Sequence, residues 1–104
     1  MNQHAVELVF AKLGYRAAIR GPGYLRYTTT DHCPTGVSVH VKAVLEHGRW
    51  AVAGFVVNGA GDVEIMHEGE MHPGDEHELE LIVSQLGARS HEHRLARMAE
   101  RMAT

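Results

Sequence analysis

The chain has 104 residues, of which 44% are hydrophobic and 22% are charged, which is ordinary material for one folded domain with one core. Its formal net charge is −3. No apolar run approaches the roughly 20 residues of a membrane-spanning helix, and no N-terminal signal peptide is apparent. Because the single cysteine, Cys33, has no partner for an internal disulfide, the sequence predicts a cytoplasmic protein under reducing conditions.

The first predicted element is a helix over residues 3–13. Its apolar side chains recur at helical spacing: Val6, Val9, Phe10 and Leu13. Gly14 follows at the position of a C-terminal cap. We therefore expect one apolar stripe on this helix to face the core.

An antiparallel β-meander of about four strands is predicted next, because the connections are short and rich in turn-forming residues. The strands cover residues 24–30, 37–45, 49–57 and 62–67. The turn signals are Gly21-Pro22-Gly23, His47-Gly48 and Asn58-Gly59. The third strand is apolar on both faces, with Trp50 on one face and Phe55 on the other, so both faces need cover.

Two helices are predicted at the C-terminus. Asp75 and Glu78 resemble a capping box at the start of the first one, and Gly87 marks its end. Ser90 is the expected cap of a second helix that reaches about Met102. The expected fold is one α+β domain over residues 1–104, with residues 89–104 as a protruding or partner-contacting helix.

Charge is distributed unevenly along the chain. Residues 1–61 carry a net charge of +3, residues 62–88 carry −8 without any lysine or arginine, and residues 89–104 carry +2. A block of carboxylates without compensating cations produces a negative surface that attracts basic partners. The candidate partner-binding residues are Asp62, Glu64, Glu68, Glu70, Asp75 and Glu76.

This layout predicts a non-enzymatic interaction protein that binds a basic protein partner. Nucleic-acid-binding proteins are one such class, since an acidic face can occupy a groove built for phosphates. Arginine-rich, alanine-rich composition is typical of bacterial or phage coding sequences. An inhibitor of nucleic-acid-binding machinery, of the kind encoded by phages and mobile elements, is the interpretation by analogy.

A homodimer is also predicted. The two-sided apolar strand and the methionine-bearing last helix both need cover, and a second copy would provide it. The candidate dimerisation residues are Trp50, Phe55, Met98 and Met102. The alternative is that the last helix folds back on its own chain.

The first rival hypothesis is metal binding. Nine histidines are many for a chain of this length, and three of them lie among carboxylates at a spacing of five: His67, His72 and His77. Imidazole and carboxylate groups suit zinc, but this spacing does not bring side chains together on a helix. The alternative is a set of solvated histidines in a polar loop.

The second rival hypothesis is nucleic-acid binding through Arg94, Arg97 and Arg101 of the last helix, with Arg89 just before it. The net negative charge argues against it.

For catalysis, Cys33 follows His32 directly, and adjacent side chains on an extended chain diverge, so the pair is poor evidence for a dyad. No phosphate-binding loop or dinucleotide fingerprint is present.

Overall fold

The computed structural model describes residues 1–28, 38–58, 60–66 and 70–103, without the side chains of residues 64–66, 98, 101 and 103. Its strands form one antiparallel sheet in the order β1-β2-β3-β4-β5. The elements are α1 (Gln3–Lys12), β1 (Arg16–Gly21), β2 (Tyr24–Thr28), β3 (Ser38–Glu46), β4 (Arg49–Val57), β5 (Val63–Met66) and α2 (Glu76–Ala103). No helix in these described ranges is both long enough and apolar enough to cross a membrane.

The N-terminal helix is confirmed, and its ends are capped. The side chain of Asn2 accepts a hydrogen bond of 2.9 Å from the backbone of Ala5. At the other end, Gly14 takes a positive φ of 83°, a conformation that costs glycine little. Val6, Val9 and Phe10 are buried, as the apolar stripe predicts.

The meander is confirmed, and it has one strand more than expected. β1 pairs with β2, but its register shifts between Ala17 and Ile19. All residues from Arg16 to Arg20 are exposed, so β1 has no buried face to produce the apolar–polar alternation by which a strand is recognised in a sequence. Between the two strands, Gly23 takes a positive φ of 69°. The side-chain amide of Gln3 anchors this turn by donating to Gly21 O (3.2 Å) and accepting from Gly23 N (2.9 Å).

The prediction of two C-terminal helices is wrong, because α2 is one helix of 28 residues. Its start is as predicted, since Asp75 Oδ1 accepts from Glu78 N at 2.8 Å. Gly87 does not end the helix. The hydroxyl of Tyr15 occupies the space that a side chain at position 87 would need, so glycine there serves close packing. Ser90 is fully buried inside the helix and does not cap one.

Both helices pack on the same face of the sheet, as the two apolar stripes predict. The ring of Phe10 stacks on Tyr27 with 4.2 Å between centroids and meets Tyr15 edge-on at 5.8 Å. α2 adds Leu79, Val83 and Leu86, all fully buried. The sheet side of this core consists of Leu25, Tyr27, Val41, Ala43, Trp50 and Val52.

Candidate protein-binding surfaces

The acidic segment runs along the edge of β4. Val63 pairs with Val57, and Met66 pairs with Phe55. Further on, Met71 exchanges two backbone hydrogen bonds with Val52, of 2.8 and 3.0 Å. At the usual rise per residue, these pairings spread the segment over about 17 Å of β4. The backbone of Val63–Met66 and of Met71 therefore lies along one edge of the sheet.

Four carboxylates of the predicted acidic face can be placed, and all four residues are exposed: Asp62, Glu70, Asp75 and Glu76. None of them forms an ion pair with another described side chain. The Asp75 carboxylate caps α2, so it is already hydrogen-bonded. Glu68 and the side chain of Glu64 lie outside the described part of the chain.

The C-terminal arginines are not presented together as the nucleic-acid hypothesis needs. Arg94 lies on the sheet-facing side of α2 and is only 8% exposed. Arg97 pairs with Glu100 on the same helix at 2.9 Å. Arg89 is exposed, and the side chain of Arg101 is outside the part of the chain that the structure describes. A phosphate could reach Arg94 only if the helix left the sheet.

A polar cluster lies on the sheet face that points away from the helices. His40 is 8% exposed and stacks on Phe55 with 5.3 Å between ring centroids. The guanidinium of Arg26 lies 5.0 Å from the centre of the Phe55 ring. Its Nε–H donates to Nδ1 of His40 at 3.4 Å, and Nε2 of His40 lies 2.8 Å from Ser38 Oγ. Burial, followed by the charge of Arg26, lowers the pKa of His40 to about 4.

The hydrogen bonds of this cluster determine what Ser38 and His40 can do. Because Arg26 donates to Nδ1, the proton of the neutral imidazole is on Nε2, which donates to Ser38 Oγ. A serine nucleophile needs the opposite arrangement, in which Nε2 accepts the hydroxyl proton. The pair therefore does not form an activated serine.

Sequence reasoning did not identify this cluster as a unit. Alternation in β3 does place Ser38 and His40 on one face, which is a usable signal. What the sequence lacks is the pairing of β2 with β3, which sets Thr28 opposite His40 and Arg26 opposite Lys42. Without that register, the contact between Arg26 and His40 could not be predicted from the sequence.

The four predicted dimerisation residues lie in different environments. Trp50 is 3% exposed within the helix-facing core, and its indole N–H donates to Met1 O at 3.1 Å. Phe55 is 7% exposed in the polar cluster. Met102 is 86% exposed near the end of α2, while the side chain of Met98 is outside the description. Trp50 and Phe55 are thus largely buried within a single chain.

The predicted metal ligands stay a prediction. His72 and His77 are exposed, and His67 lies outside the described residues. Within the described ranges, no three histidine, cysteine or carboxylate residues lie close enough together to hold a metal ion.

Two open grooves flank α1 on either side of Leu8. One, of about 460 Å³, separates α1 from β1 and contains the ion pair of Glu7 with Arg20. This pair lowers the pKa of Glu7 through its hydrogen bond from Arg20. The other, of about 350 Å³, separates α1 from the start of α2 and contains the ion pair of Lys12 with Glu80 at 3.0 Å. Because these charges already neutralise each other, neither groove points to a charged small ligand.

The described residues offer exposed carboxylates near β5 and the start of α2, and exposed Leu95 and Met102 towards the end of α2. Comparison with protein-family models, curated proteins and solved structures found no match.

Proposed function

We propose that this protein is a non-enzymatic interaction module that presents an acidic surface to a basic protein partner. The acidic surface consists of Asp62, Glu64, Glu68, Glu70, Asp75 and Glu76. The observation that carries the proposal is that Asp62, Glu70 and Glu76 are exposed and form no ion pair with a described side chain. Carboxylates left without counter-charges create a negative potential that accelerates encounter with a cationic surface.

The partner class follows from the same chemistry. Exposed carboxylates without counter-charges suit a cationic groove or segment, such as the phosphate-binding groove of a nucleic-acid-binding protein. We infer that the chain acts by occupying such a groove as an inhibitor, in the cytoplasm of a bacterium or of a phage-infected cell. Its affinity then depends steeply on salt, since exposed charges are screened within roughly 8 Å at physiological ionic strength.

The polar cluster supports a non-enzymatic role. Ser38 and His40 form a serine–histidine contact, and its proton arrangement is the reverse of an activated one. A buried imidazole that stays neutral down to about pH 4 is also a poor proton acceptor at neutral pH. Both properties fit a structural role for the cluster.

Charge reversal on the acidic surface tests the proposal. The variant Asp62→Lys/Glu70→Lys should weaken binding of a fluorescent ten-residue oligolysine peptide at least tenfold in 20 mM salt, measured by anisotropy. The matched control is Glu46→Lys/Glu92→Lys, which changes the net charge equally at exposed sites away from the acidic segment. Equal loss in both variants would show that only net charge matters, and the acidic surface would then have no specific role.

Self-association is a second proposal, favoured by a separate observation. Leu95 and Met102 are 50% and 86% exposed on the last turns of α2. A methionine side chain is flexible and adaptable, so together with Leu95 it offers an apolar surface that a second copy could cover. We infer a homodimer that uses this helix, which sedimentation velocity over a range of protein concentrations would detect.

A further inference from the structure

The sheet face that points away from the helices carries two cations side by side. Arg26 of β2 and Lys42 of β3 are directly opposite each other in the antiparallel register, and both are partly exposed. Like charges at opposed positions of neighbouring strands destabilise a sheet. An anion bound between the two side chains would remove this repulsion.

Neither cation is neutralised by a described carboxylate. The side chain of Lys42 forms no ion pair within the part of the chain that the structure describes. Arg26 donates from Nε to His40 and lies over the Phe55 ring, but its two terminal nitrogens make no hydrogen bond to described atoms. Strands β1 to β4 contain a single carboxylate, Glu46, which is four residues or about 13 Å along β3 from Lys42.

An exposed aromatic ring lies beside the two cations. Tyr24 precedes Arg26 by two residues on β2, so the two side chains leave the same face of the sheet about 7 Å apart. Tyr24 is 38% exposed, and its register partners are Gly21 of β1 and Val44 of β3. Because glycine has no side chain, β1 does not cover the ring at this position.

An aliphatic side chain borders the cations on the β1 side. Ile19 pairs with Arg26 and is 46% exposed. The core does not explain the exposed apolar groups of Ile19 and Tyr24, since both helices pack on the opposite face of the sheet. We call Ile19, Tyr24, Arg26 and Lys42 the outer patch, which combines an aromatic ring, an aliphatic side chain and two positive charges.

We propose that the outer patch binds single-stranded nucleic acid, with a base stacked on Tyr24 and phosphate held by Arg26 and Lys42. This site goes beyond the acidic surface proposed above. Sheet surfaces with exposed aromatic side chains bind single strands in this way, since every base has a flat face and every nucleotide carries a negative charge. The bases of a duplex are reached only from its grooves, which admit a projecting helix or ribbon and not a flat sheet. An acidic peptide would pair with the cations but would leave the tyrosine ring without a partner.

The outer patch belongs to the positively charged part of the chain. The whole chain has a net charge of −3, but residues 1–61, which contain the patch, carry +3. The carboxylates of residues 62–88 come from β5, from α2 and from the chain near them. β5 is the edge strand furthest from β1, and α2 packs on the other face of the sheet. Their repulsion of a bound strand is screened within roughly 8 Å at physiological ionic strength.

Two cations and one ring determine the expected strength of binding. For single strands, each neutralised phosphate contributes about −0.7 to the slope of log affinity against log salt concentration. Two cations therefore give a slope of at most about −1.4. One stacked base strengthens binding roughly 5- to 150-fold. The complex is thus expected to be weak and to be measurable at low salt.

Fluorescence anisotropy of a labelled ten-residue oligothymidylate in 20 mM salt tests the proposal. Tyr24→Ala should weaken binding at least about fivefold, whereas Tyr24→Phe keeps the ring and should bind like the wild type. Lys42 is the cation to change, because Arg26 also contacts His40 and Phe55. Lys42→Gln should weaken binding at least about threefold and reduce the salt slope by about 0.7. Its matched control is Arg89→Gln, which removes an exposed cation from α2 and should leave binding unchanged.

An abasic oligonucleotide with the same number of phosphates separates stacking from charge. The wild-type protein should bind it at least about fivefold more weakly than oligothymidylate, and Tyr24→Ala should bind both probes equally. Equal binding of both probes by the wild type, or equal losses in Lys42→Gln and Arg89→Gln, would overturn the proposal. So would tighter binding of a ten-residue oligoglutamate, which would assign the patch to an acidic protein, or no binding of oligothymidylate at all. Circular dichroism checks that the variants are folded, and the oligolysine measurement on the acidic surface is independent of these results.

Discussion

The two faces of the sheet are covered in different ways. On the helix-facing side, Leu25, Val41 and Val52 are fully buried against α1 and α2. Burial of apolar side chains therefore stabilises this core. On the outer side, His40 and Phe55 are buried in a cluster with the guanidinium of Arg26. The first face depends on volume and shape, while the second depends on charge state. Substitutions on the helix-facing side should therefore change stability through lost packing, whereas those on the outer side should change how stability depends on pH.

The largest expected effect is on the helix-facing side, where one substitution can be compared at two positions of the same helix. Leu86→Ala should lower the free energy of unfolding by about 2–5 kcal/mol, since Leu86 is fully buried. Leu95→Ala should change it by less than about 0.5 kcal/mol in the monomer, because Leu95 is 50% exposed. Urea denaturation at low protein concentration measures both. Similar losses would mean that the core extends beyond Arg94.

The contribution of the outer face to the free energy of unfolding should instead depend on pH. The folded-state pKa of His40 is about 4, below its ordinary value of 6.5, so between these values the unfolded chain binds a proton that the folded chain does not. This contribution to stability is fully present above pH 6.5 and is lost as the pH falls towards 4. It amounts to about 3 kcal/mol.

The matched variant for this prediction is His40→Gln. The free energy of unfolding of both proteins is measured by urea denaturation between pH 4 and pH 7.5. It should depend less steeply on pH in the variant, because the two proteins share every histidine except His40. If the free energy of unfolding changed with pH in the same way in both proteins, His40 would have the same pKa in the folded and the unfolded chain.

A smaller effect is expected where α2 passes Tyr15. Gly87→Ala would place a methyl group where the Tyr15 hydroxyl lies, and this clash should exceed the roughly 1 kcal/mol that alanine adds to helix stability. We expect a net loss of about 1–2 kcal/mol by thermal or urea denaturation. Adding Tyr15→Phe should recover part of it. A stabilised Gly87→Ala protein would contradict the close packing.

The smallest effect concerns the charge on the outer face. Arg26→Gln removes the cation over the Phe55 ring, which should cost about 0.5–1 kcal/mol. It also removes the second cause of the lowered pKa of His40, so that pKa should rise while remaining below 6.5 because of burial. Titration of the His40 ring protons by NMR measures the rise. An unchanged pKa would assign the whole effect to burial.

Local patterns predict much of this fold because they are consequences of local chemistry. The stripe of α1, the cap at Asp75 and the turn at His47-Gly48 each depend on a few neighbouring residues. The same reasoning failed for β1, which is exposed over Arg16–Arg20, and for Gly87. At Gly87 a contact with Tyr15, a distant part of the chain, decides which residue fits.

For the candidate surfaces, the sequence by itself determined which residues carry charge and in what order they follow one another. Only the tertiary structure decided which of these groups reach the surface: Arg94 and Trp50 are buried, while Leu81 and Leu95 are exposed. The physical reason is that exposure depends on which face of an element packs against the sheet, and strand register and helix placement set that over distances that no local pattern records.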